Sequence, residues 1–547
     1  MEQPFQDEQL EEAIRHHTAG KLAEAESIYR SLIEKDPGDA DALHLLGALT
    51  AQKGDGLAAL RFIDRAVAID PECADFHNNK GLILANLGKT DEAVAAHAEA
   101  VRQRPDFAEA HNNLGNVLLK KGAFSEAVAA YRRTVSLRPD YANAHNNLGV
   151  AFQKQKKLEE AIAAYRTAVR LQPDHSEAHS NLGVALRETG RMAEAIEEYR
   201  TAIRCDDECV DAHVNLGAAL HDTGHDEEAI PLLNRAIELN PRHEPAHYNL
   251  ALALLTKGDY GRGWEEYEHR AFALWSRRKI AAPLWDGGDL SGKTILLVGE
   301  GGFGDAIQFA RYIPMVKKRG GRVIVHVQSE LVRLIKSIDG ADEILPKEQQ
   351  LPRIDTYCPL LSLPRIFDTT TRNIPATPYL SAEVTIAERW ASKLAKEKGL
   401  RVGLAWAGSK AHHNDANRSI ALSQFAPLRS VAGIWLLSLQ KDRADENAAA
   451  IDLIDWTSEL SDFTETAGLI ANLDLVISVD TAVAHLAGAM GKKVWLLLPF
   501  VADWRWLADC SDSPWYPTMR LFRQEIPGDW NPVIERVTAA LKAEQTV

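Results

Sequence analysis

Only five cysteines occur in 547 residues, at positions 73, 205, 209, 358 and 510, and no two form a C-x-x-C pair. That scarcity argues against a disulfide framework and suits a reducing compartment. Cys205 and Cys209 stand four residues apart, which fits small buried hydrophobes better than metal ligands. A basic run is also lacking. With 77 Asp and Glu against 62 Lys and Arg, the net charge of −15 repels a phosphate backbone and argues against nucleic acid as a partner. Long apolar runs are missing too, the longest being "VWLLLPFVA", too short to span a bilayer. The start "MEQPFQDEQLEEAI" has neither the basic nor the apolar region of a signal peptide, so the expected setting is cytoplasmic with no transmembrane segment. What remains is an ordinary globular composition in a chain long enough for about three domains.

The dominant feature is a ruler of 34 residues. Prolines at 37, 71, 105, 139, 173 and 241 fall on it, and Asp207 fills the one gap. Gly88, Gly122, Gly190, Gly224 and Gly258 recur where a first helix must end with φ > 0, and Lys156 breaks that row. "PDFAEAHNNLGNVLLKKGAFSEAVAAYRRTVSLR" and the segment after it share helix, turn and second helix. This pattern resembles the tetratricopeptide repeat, and the resemblance implies an α-solenoid of about eight repeats over residues 1–270.

Two columns recur on the same ruler. His77, His111, His145, His179, His213 and His247 share a helical stripe with leucines, as His111 does with Leu114 and Leu118, so they are read as structural. Asn79, Asn113, Asn147, Asn181, Asn215 and Asn249 instead align with polar positions and are expected to face water or a ligand that replaces it. A carboxamide grips a peptide group through both its N–H and its C=O side, so the column is a candidate seat for an acceptor polypeptide. The bland alternative is that it solvates the groove. The column is similar to that of the O-linked N-acetylglucosamine transferases, whose repeats hold protein substrates.

After residue 270 the pattern changes. A connector, 271–293, contains Pro283 and a glycine pair; beyond it "TILLVG", "RVIVHVQ", "RVGLAWAG", "GIWLLSLQ", "LDLVISVD" and "KKVWLLLP" alternate with amphipathic segments. Six strands in two sets imply two α/β domains with parallel sheets, 294–385 and 386–547, facing across a cleft. In "VGEGGFGDAIQFARY", Gly299, Gly301 and Gly304 satisfy the dinucleotide fingerprint, but only Glu330 follows where a ribose-binding acid belongs, which weakens an oxidoreductase reading. Asp305 at the helix start is either a helix cap or a general base opening on the cleft. Thr481 is the expected N-cap of a phosphate-seating helix, with His485 facing the same mouth. Arg418 offers a fork of donors, and Gln440 and Lys441 stand at a strand end; His412 and His413 are read as loop residues.

Taken with these residues, the C-terminal half resembles the GT-B glycosyltransferases, especially the lipopolysaccharide heptosyltransferase group with its G-D pair and D-[ST]-G-x-x-H-L-A segment. The resemblance implies two Rossmann-like halves, an acceptor side at 294–385 and a nucleotide-sugar side at 386–547. By motif, Asp305 becomes the base, Gly304 and the stretch Asp480, Thr481, Ala482 to His485 the donor seat, and Arg418 the stand-in for a phosphate-binding lysine. Ala482 stands where the family has glycine. The implied reaction is an inverting sugar transfer to a hydroxyl, with no metal and no cofactor beyond the nucleotide sugar. Bacterial proteins of this construction imply flagellin or another surface protein as acceptor. Two rivals stay open: a lipid or saccharide acceptor, and a non-catalytic scaffold with a degenerate transferase half.

Overall fold

The computed structural model describes residues 3–270, 280–375, 377–395, 399–410, 414–441, 451–508 and 510–544. His412 and His413 lie outside them. Among the described residues no helix is long and apolar enough to cross a membrane. The chain divides into two compact units, Met1–Ala219 and Leu220–Val547.

The first unit is a stack of helix pairs, exemplified by Ala108–Lys121 with Phe124–Leu137 and Ala142–Lys154 with Leu158–Leu171. Each pair closes through a small-to-large contact. A methyl group on Gly115, Gly149 or Gly183 would stand 2.6, 2.5 and 2.5 Å from the ring of Tyr131, Tyr165 or Tyr199, so glycine is what lets the second helix seat its buried tyrosine. The turn glycines take left-handed φ values of 75° at Gly88, 84° at Gly122 and 80° at Gly190. Lys156 adopts the same conformation with φ 62° rather than breaking the row. The two helices on either side dictate the turn, and a residue with a Cβ is forced into it.

The histidine column is structural, through a bond that the leucine stripe did not reveal. Nε2 of His77, His111, His145 and His179 donates to the carbonyl of the proline six residues earlier at 2.9, 3.1, 3.0 and 3.1 Å. His213 does the same to Asp207, and in the second unit His247 does it to Pro241. His179 also points Nδ1 at Glu198 Oε2, 2.6 Å away. Both nitrogens donate only in the imidazolium, and the Glu198 bond holds the His179 pKa above its ordinary value.

The second unit joins the last repeat helices to two parallel sheets. β1 (Thr294–Val298), β2 (Arg322–Val327), β3 (Glu343–Pro346) and β4 (Thr356–Pro359) stand in the order β3-β2-β1-β4. β5 (Leu400–Ala405), β6 (Ile434–Ser438), β7 (Leu475–Val479), β8 (Val494–Leu498) and β9 (Met519–Arg523) stand in the order β6-β5-β7-β8-β9. Among the described residues nine strands replace the expected six. β3 and β4 are only four residues long and each ends in proline, and β9 carries Arg520 and Arg523 among its five residues, so none reads as an apolar run. Of the strands recognised in sequence all but the edge strand β6 are interior, and β7 and β8 are buried throughout. The described part of the connector is ordered by edge pairing, with Trp285 N–H donating to Tyr357 O at 2.8 Å.

Where the repeat motif runs to residue 270, packing assigns residues from 220 onward to the sheets. Trp264 donates its indole N–H to Thr369 O at 2.9 Å and sets its ring edge-on to Trp504, centroids 5.2 Å apart. Tyr260 accepts from the Trp515 indole at 3.1 Å. Arg270 is buried and donates to Glu300 at 2.5 Å and to Ser362 Oγ at 3.0 Å. Burial raises the Glu300 pKa while Arg270 pulls it back, and burial opposes the charge on Arg270 while Glu300 restores it. The pair survives because each ion is the other's solvent.

Three outcomes follow from these contacts. Lys156→Gly should stabilise the first unit by about 1 kcal/mol, the strain of a left-handed non-glycine residue, read as a higher urea midpoint of the full chain. Stability contributed by His179 is complete below its unfolded value of 6.5 and fades as pH rises through the raised native value; Glu198→Gln should flatten that decline in midpoints measured across the range. Arg270→Met should destabilise the second unit by about 3 to 5 kcal/mol, and adding Glu300→Met should recover most of it; an Arg270→Met single variant as stable as wild type would remove the pair from the account.

Candidate functional site

In each sheet the first strand lies between two strands that follow it in the chain, one on either side. β1 lies between β2 and β4, and β5 lies between β6 and β7, so the connections leaving these strands diverge and open a crevice at their C-terminal ends. Within the second unit these ends enclose a cavity of about 880 Å³. Its lining includes Gly304, Asp305, Arg418, Gln440, Lys441, Asp480, Thr481, Ala482 and His485, so every candidate from the C-terminal half is brought to one place. Residues more than 100 positions apart in sequence meet here because each follows the end of a parallel strand.

Asp305 sits in the first turn of the helix Phe303–Phe309 and has both roles considered for it open. Its Oδ2 accepts from the Gly302 N–H at 2.8 Å, which is a cap, while Oδ1 accepts from Arg505 Nη2 at 2.5 Å. A carboxylate has about four lone-pair sites, so each oxygen keeps one for an incoming hydroxyl. Gly301, φ 70°, makes the turn possible, since a Cβ there would stand 2.3 Å from Asp305 Oδ2. Gly304 is needed for a different close approach: a Cβ would come within 2.9 Å of His485, where the helices Phe303–Phe309 and Ala482–Ala489 abut.

Arg505 was not singled out by sequence, and it organises the site. It stands in the 3-10 helix Trp504–Trp506 after β8 and also donates to Gln308 Oε1 at 2.6 Å and Asp503 Oδ1 at 2.9 Å. Burial disfavours its charge, but Asp503 and Asp305 more than compensate and hold the guanidinium ionised. The only sequence signal was its place in a loop at a strand end, "FVADWRWL", a signal shared by every such loop. Lys410, equally unremarked, lines the cavity as well.

Three expected roles change. Thr481 occupies the N-cap position with extended backbone, φ −142° and ψ 169°, but its side chain does not cap; the hydroxyl lies 3.1 Å from Ser478 Oγ instead. Ala484 and His485 N–H donate to Thr481 O, so the N–H groups that the helix leaves without an internal acceptor are those of Ala482 and Val483, both in the cavity lining. Gln440 is held by the fold, its Oε1 accepting from Trp406 and Ala407 N–H at 3.2 and 2.9 Å, which leaves Lys441 as the polar contributor from that strand end. His485 is a buried neutral imidazole: burial first, then Arg505, Arg311 and Arg418, lower its pKa, and Nδ1 is 3.0 Å from the Tyr516 hydroxyl. Its neighbour Asp480, with Oδ1 3.7 Å from His485 Nε2, is pushed up to about 6 by burial and by Asp503, with Arg418 and Arg505 acting the other way. Arg418 donates to the Asp480 carbonyl at 2.9 Å and so is anchored beside the N-terminus of Ala482–Ala489.

The asparagine column does not simply face water. Asn113 is 9% exposed. Asn113, Asn147 and Asn181 donate from Nδ2 to Asn78, Asn112 and Asn146 of the preceding repeat at 3.1, 3.4 and 3.0 Å, Asn215 donates to Ser180 at 3.3 Å, and Asn79 contacts His44. Every step is 35 residues, so the amides form a ladder that ties repeats together. Side-chain to side-chain bonding was invisible to a column-by-column reading because its two ends lie in different columns. Apart from the cleft, His247, Glu266 and His269 form the one group among the described residues with metal-ligand donors mutually within 4.8 Å.

Known proteins divide along the same line. Tetratricopeptide repeat families match residues 16–83, 81–122, 115–156, 146–208, 210–243 and 232–265. Glycosyltransferase family 9 (heptosyltransferase) matches residues 429–497, a stretch that holds Lys441, Asp480 and His485 but not Asp305 or Arg418. Protein FlbA of Caulobacter vibrioides is 28% identical over 320 residues, 53% of each protein, so the match spans about half of that relative. Cellulose synthase operon protein C of Komagataeibacter xylinus is 39% identical over 57 residues, 10% of this chain and 4% of that one. Among solved structures, YrrB, described as a tetratricopeptide protein with an unusual peptide-binding site, aligns at 23% identity over 34% of this chain and 95% of its own, with a TM-score of 0.29. The Cut9-Hcn1 hetero-tetramer aligns at 19% identity over 47% and 51%, with a TM-score of 0.38. The chain thus carries tetratricopeptide repeats in its N-terminal half and, in its C-terminal half, a region of the glycosyltransferase family 9 (heptosyltransferase) type.

Proposed function

We propose that the second unit is an inverting glycosyltransferase of the GT-B kind, its two sheets serving as Rossmann-like halves, which moves a sugar from a nucleotide sugar to a hydroxyl of a polypeptide. The observation that carries this reading is one cavity lined both by an acid from the helix after β1 and by an arginine and a helix N-terminus that follow β5 and β7. Such a cavity has the size of a ligand pocket, and charged and polar groups from several strand ends converge on it.

In this mechanism the diphosphate rests on the N–H groups that open Ala482–Ala489, with Arg418 and Lys441 beside it. Asp305 takes the proton of the acceptor hydroxyl as that oxygen bonds to the anomeric carbon. The bond from the same carbon to the phosphate oxygen breaks, and the nucleoside diphosphate leaves with the electron pair. One displacement inverts the centre. Cations already in place meet the leaving charge, so the reading requires no metal. A cytoplasmic setting belongs to the same proposal and agrees with the five free cysteines.

A thermal-shift panel of UDP-, GDP-, ADP- and CMP-sugars should single out one donor. With that donor, Asp305→Asn should keep the shift and lower turnover by about 10² to 10⁴, the range for a lost general base, whereas Arg418→Ala should weaken the shift and lower turnover by about 10² to 10³. Wild-type turnover in Asp305→Asn would refute the assignment, and an unresponsive panel would favour a degenerate transferase half.

A further inference from the structure

Two copies of one short motif face each other at the end of the repeat array. Glu244 and His247 in "EPAH", and Glu266 and His269 in "EYEH", are each spaced i, i+3, so each pair shares one face of its helical turn. The helix Glu244–Thr256 packs against both Tyr260–Tyr267, which carries Glu266, and the 3-10 helix Glu268–Arg270, which carries His269. Packing crosses the two pairs. His247 Nδ1 lies 2.5 Å from Glu266 Oε2, and His269 Nδ1 lies 3.9 Å from Glu244 Oε2. The imidazole rings are stacked, with centroids 3.8 Å apart and planes inclined by 11°. All four residues belong to the second unit, and none of them lines the cleft.

Two features of this cluster go beyond the packing of repeats. His247 is buried, and its Nε2 donates to Pro241 O at 3.2 Å, which turns Nδ1 toward Glu266. An imidazole nitrogen and a carboxylate oxygen rest 2.5 Å apart only around a proton or a metal ion. Glu244 Oε2, for its part, is a buried oxygen that accepts no hydrogen bond. The repeat two periods earlier supplies the contrast. There His179 and Glu198 make the same contact at 2.6 Å, but Thr201 and Ser176 stand at the positions of His269 and Glu244, and a proton suffices.

We propose that His247, Glu266 and His269 bind a divalent transition-metal ion of the zinc class, with Glu244 as the carboxylate that orients His269 and completes the charge. Donor atoms of the three ligands already lie within 4.8 Å of one another. A zinc ion with bonds of about 2.1 Å spaces its ligands about 3.4 Å apart, so on binding the His247–Glu266 contact opens and the His269 ring tilts out of its stack. The His269 side chain is 38% exposed, which gives the ring room to tilt and the ion a way in from solvent. Two imidazoles select such an ion over Mg²⁺ or Ca²⁺, which take oxygen ligands. Glu-x-x-His pairs on facing helices are a known way for helical bundles to assemble sites of this chemistry, and here the two carboxylates balance the ion's charge. His269 precedes Arg270, which is bonded to Glu300, so the ion fastens the last helix pair beside the junction with the first sheet. Its role is structural and separate from sugar transfer.

The test uses the full chain, stripped with EDTA and desalted. In calorimetric titration it should take up one Zn²⁺ per molecule and, once loaded, melt at a higher temperature, while Mg²⁺ does neither; Co²⁺ in place of zinc should give the visible absorption of a low-coordinate nitrogen and oxygen site. His269→Ala should abolish stoichiometric uptake and the Co²⁺ band while keeping the metal-free melting temperature, because the side chain is partly exposed. Glu266→Gln, which retains a hydrogen-bonding partner for His247, should lose the band in the same way, and Glu244→Gln should weaken uptake about 10- to 100-fold, the cost of removing a carboxylate that orients a ligand. Glu198→Gln, in the control repeat, should leave uptake unchanged. Uptake that survives both His269→Ala and Glu266→Gln places the ion elsewhere and overturns the inference, as does a wild-type chain that takes up no zinc or binds Mg²⁺ equally well.

Discussion

Arg505 is a buried cation, and a buried cation must find its counter-charges where it stands. Its partners come from separate parts of the chain: Asp305 and Gln308 from the helix after β1, and Asp503 from the loop after β8. Its guanidinium carbon lies 4.3 Å from the centroid of Trp504, which packs edge-on to Trp264 of the last repeat. A single side chain therefore joins the first sheet, the second sheet and the repeat array's end. Remove its charge and Asp305 keeps only the cap bond from the Gly302 N–H.

The same economy explains why the last repeat packs as part of the second unit. An ordinary terminal repeat turns a polar face to water. Here that face is aromatic, and Tyr260, Trp264 and Tyr267 are buried with Trp504 and Trp515. Burying one large aromatic side chain stabilises by roughly 1.5 to 3 kcal/mol relative to leaving it exposed, so this cluster outweighs any loosely tethered arrangement of the same pieces. Arg270 and Glu300 then close the junction with a pair that tolerates no substitution on one side alone.

The asparagines show how one residue type serves two ends. A carboxamide has two donors and an acceptor, and the ladder occupies one donor at most steps, which ties neighbouring repeats together and holds each amide in a defined orientation. At Asn147 both donors are used, to Asn112 and to Asn116, so the amide is fixed from two sides.

Much of this protein is local, and local chemistry is legible in a sequence. The repeat period, the glycine turns, the polar strand ends and the six apolar strands all follow from patterns within a few tens of residues, because helix periodicity and strand burial leave a regular trace. So do Asp305, Arg418 and the start of Ala482–Ala489, which sit at strand ends whatever the rest of the chain does. What tertiary structure alone decided are the matters that depend on residues distant in sequence: that Arg505 grips Asp305 across 200 positions, that Gln440 is committed to the backbone of β5's loop, that the asparagines bond to one another, and that residues beyond 219 pack with the sheets. No periodicity records such pairings, because a buried charge or amide is satisfied by whichever partner folding brings within hydrogen-bond reach.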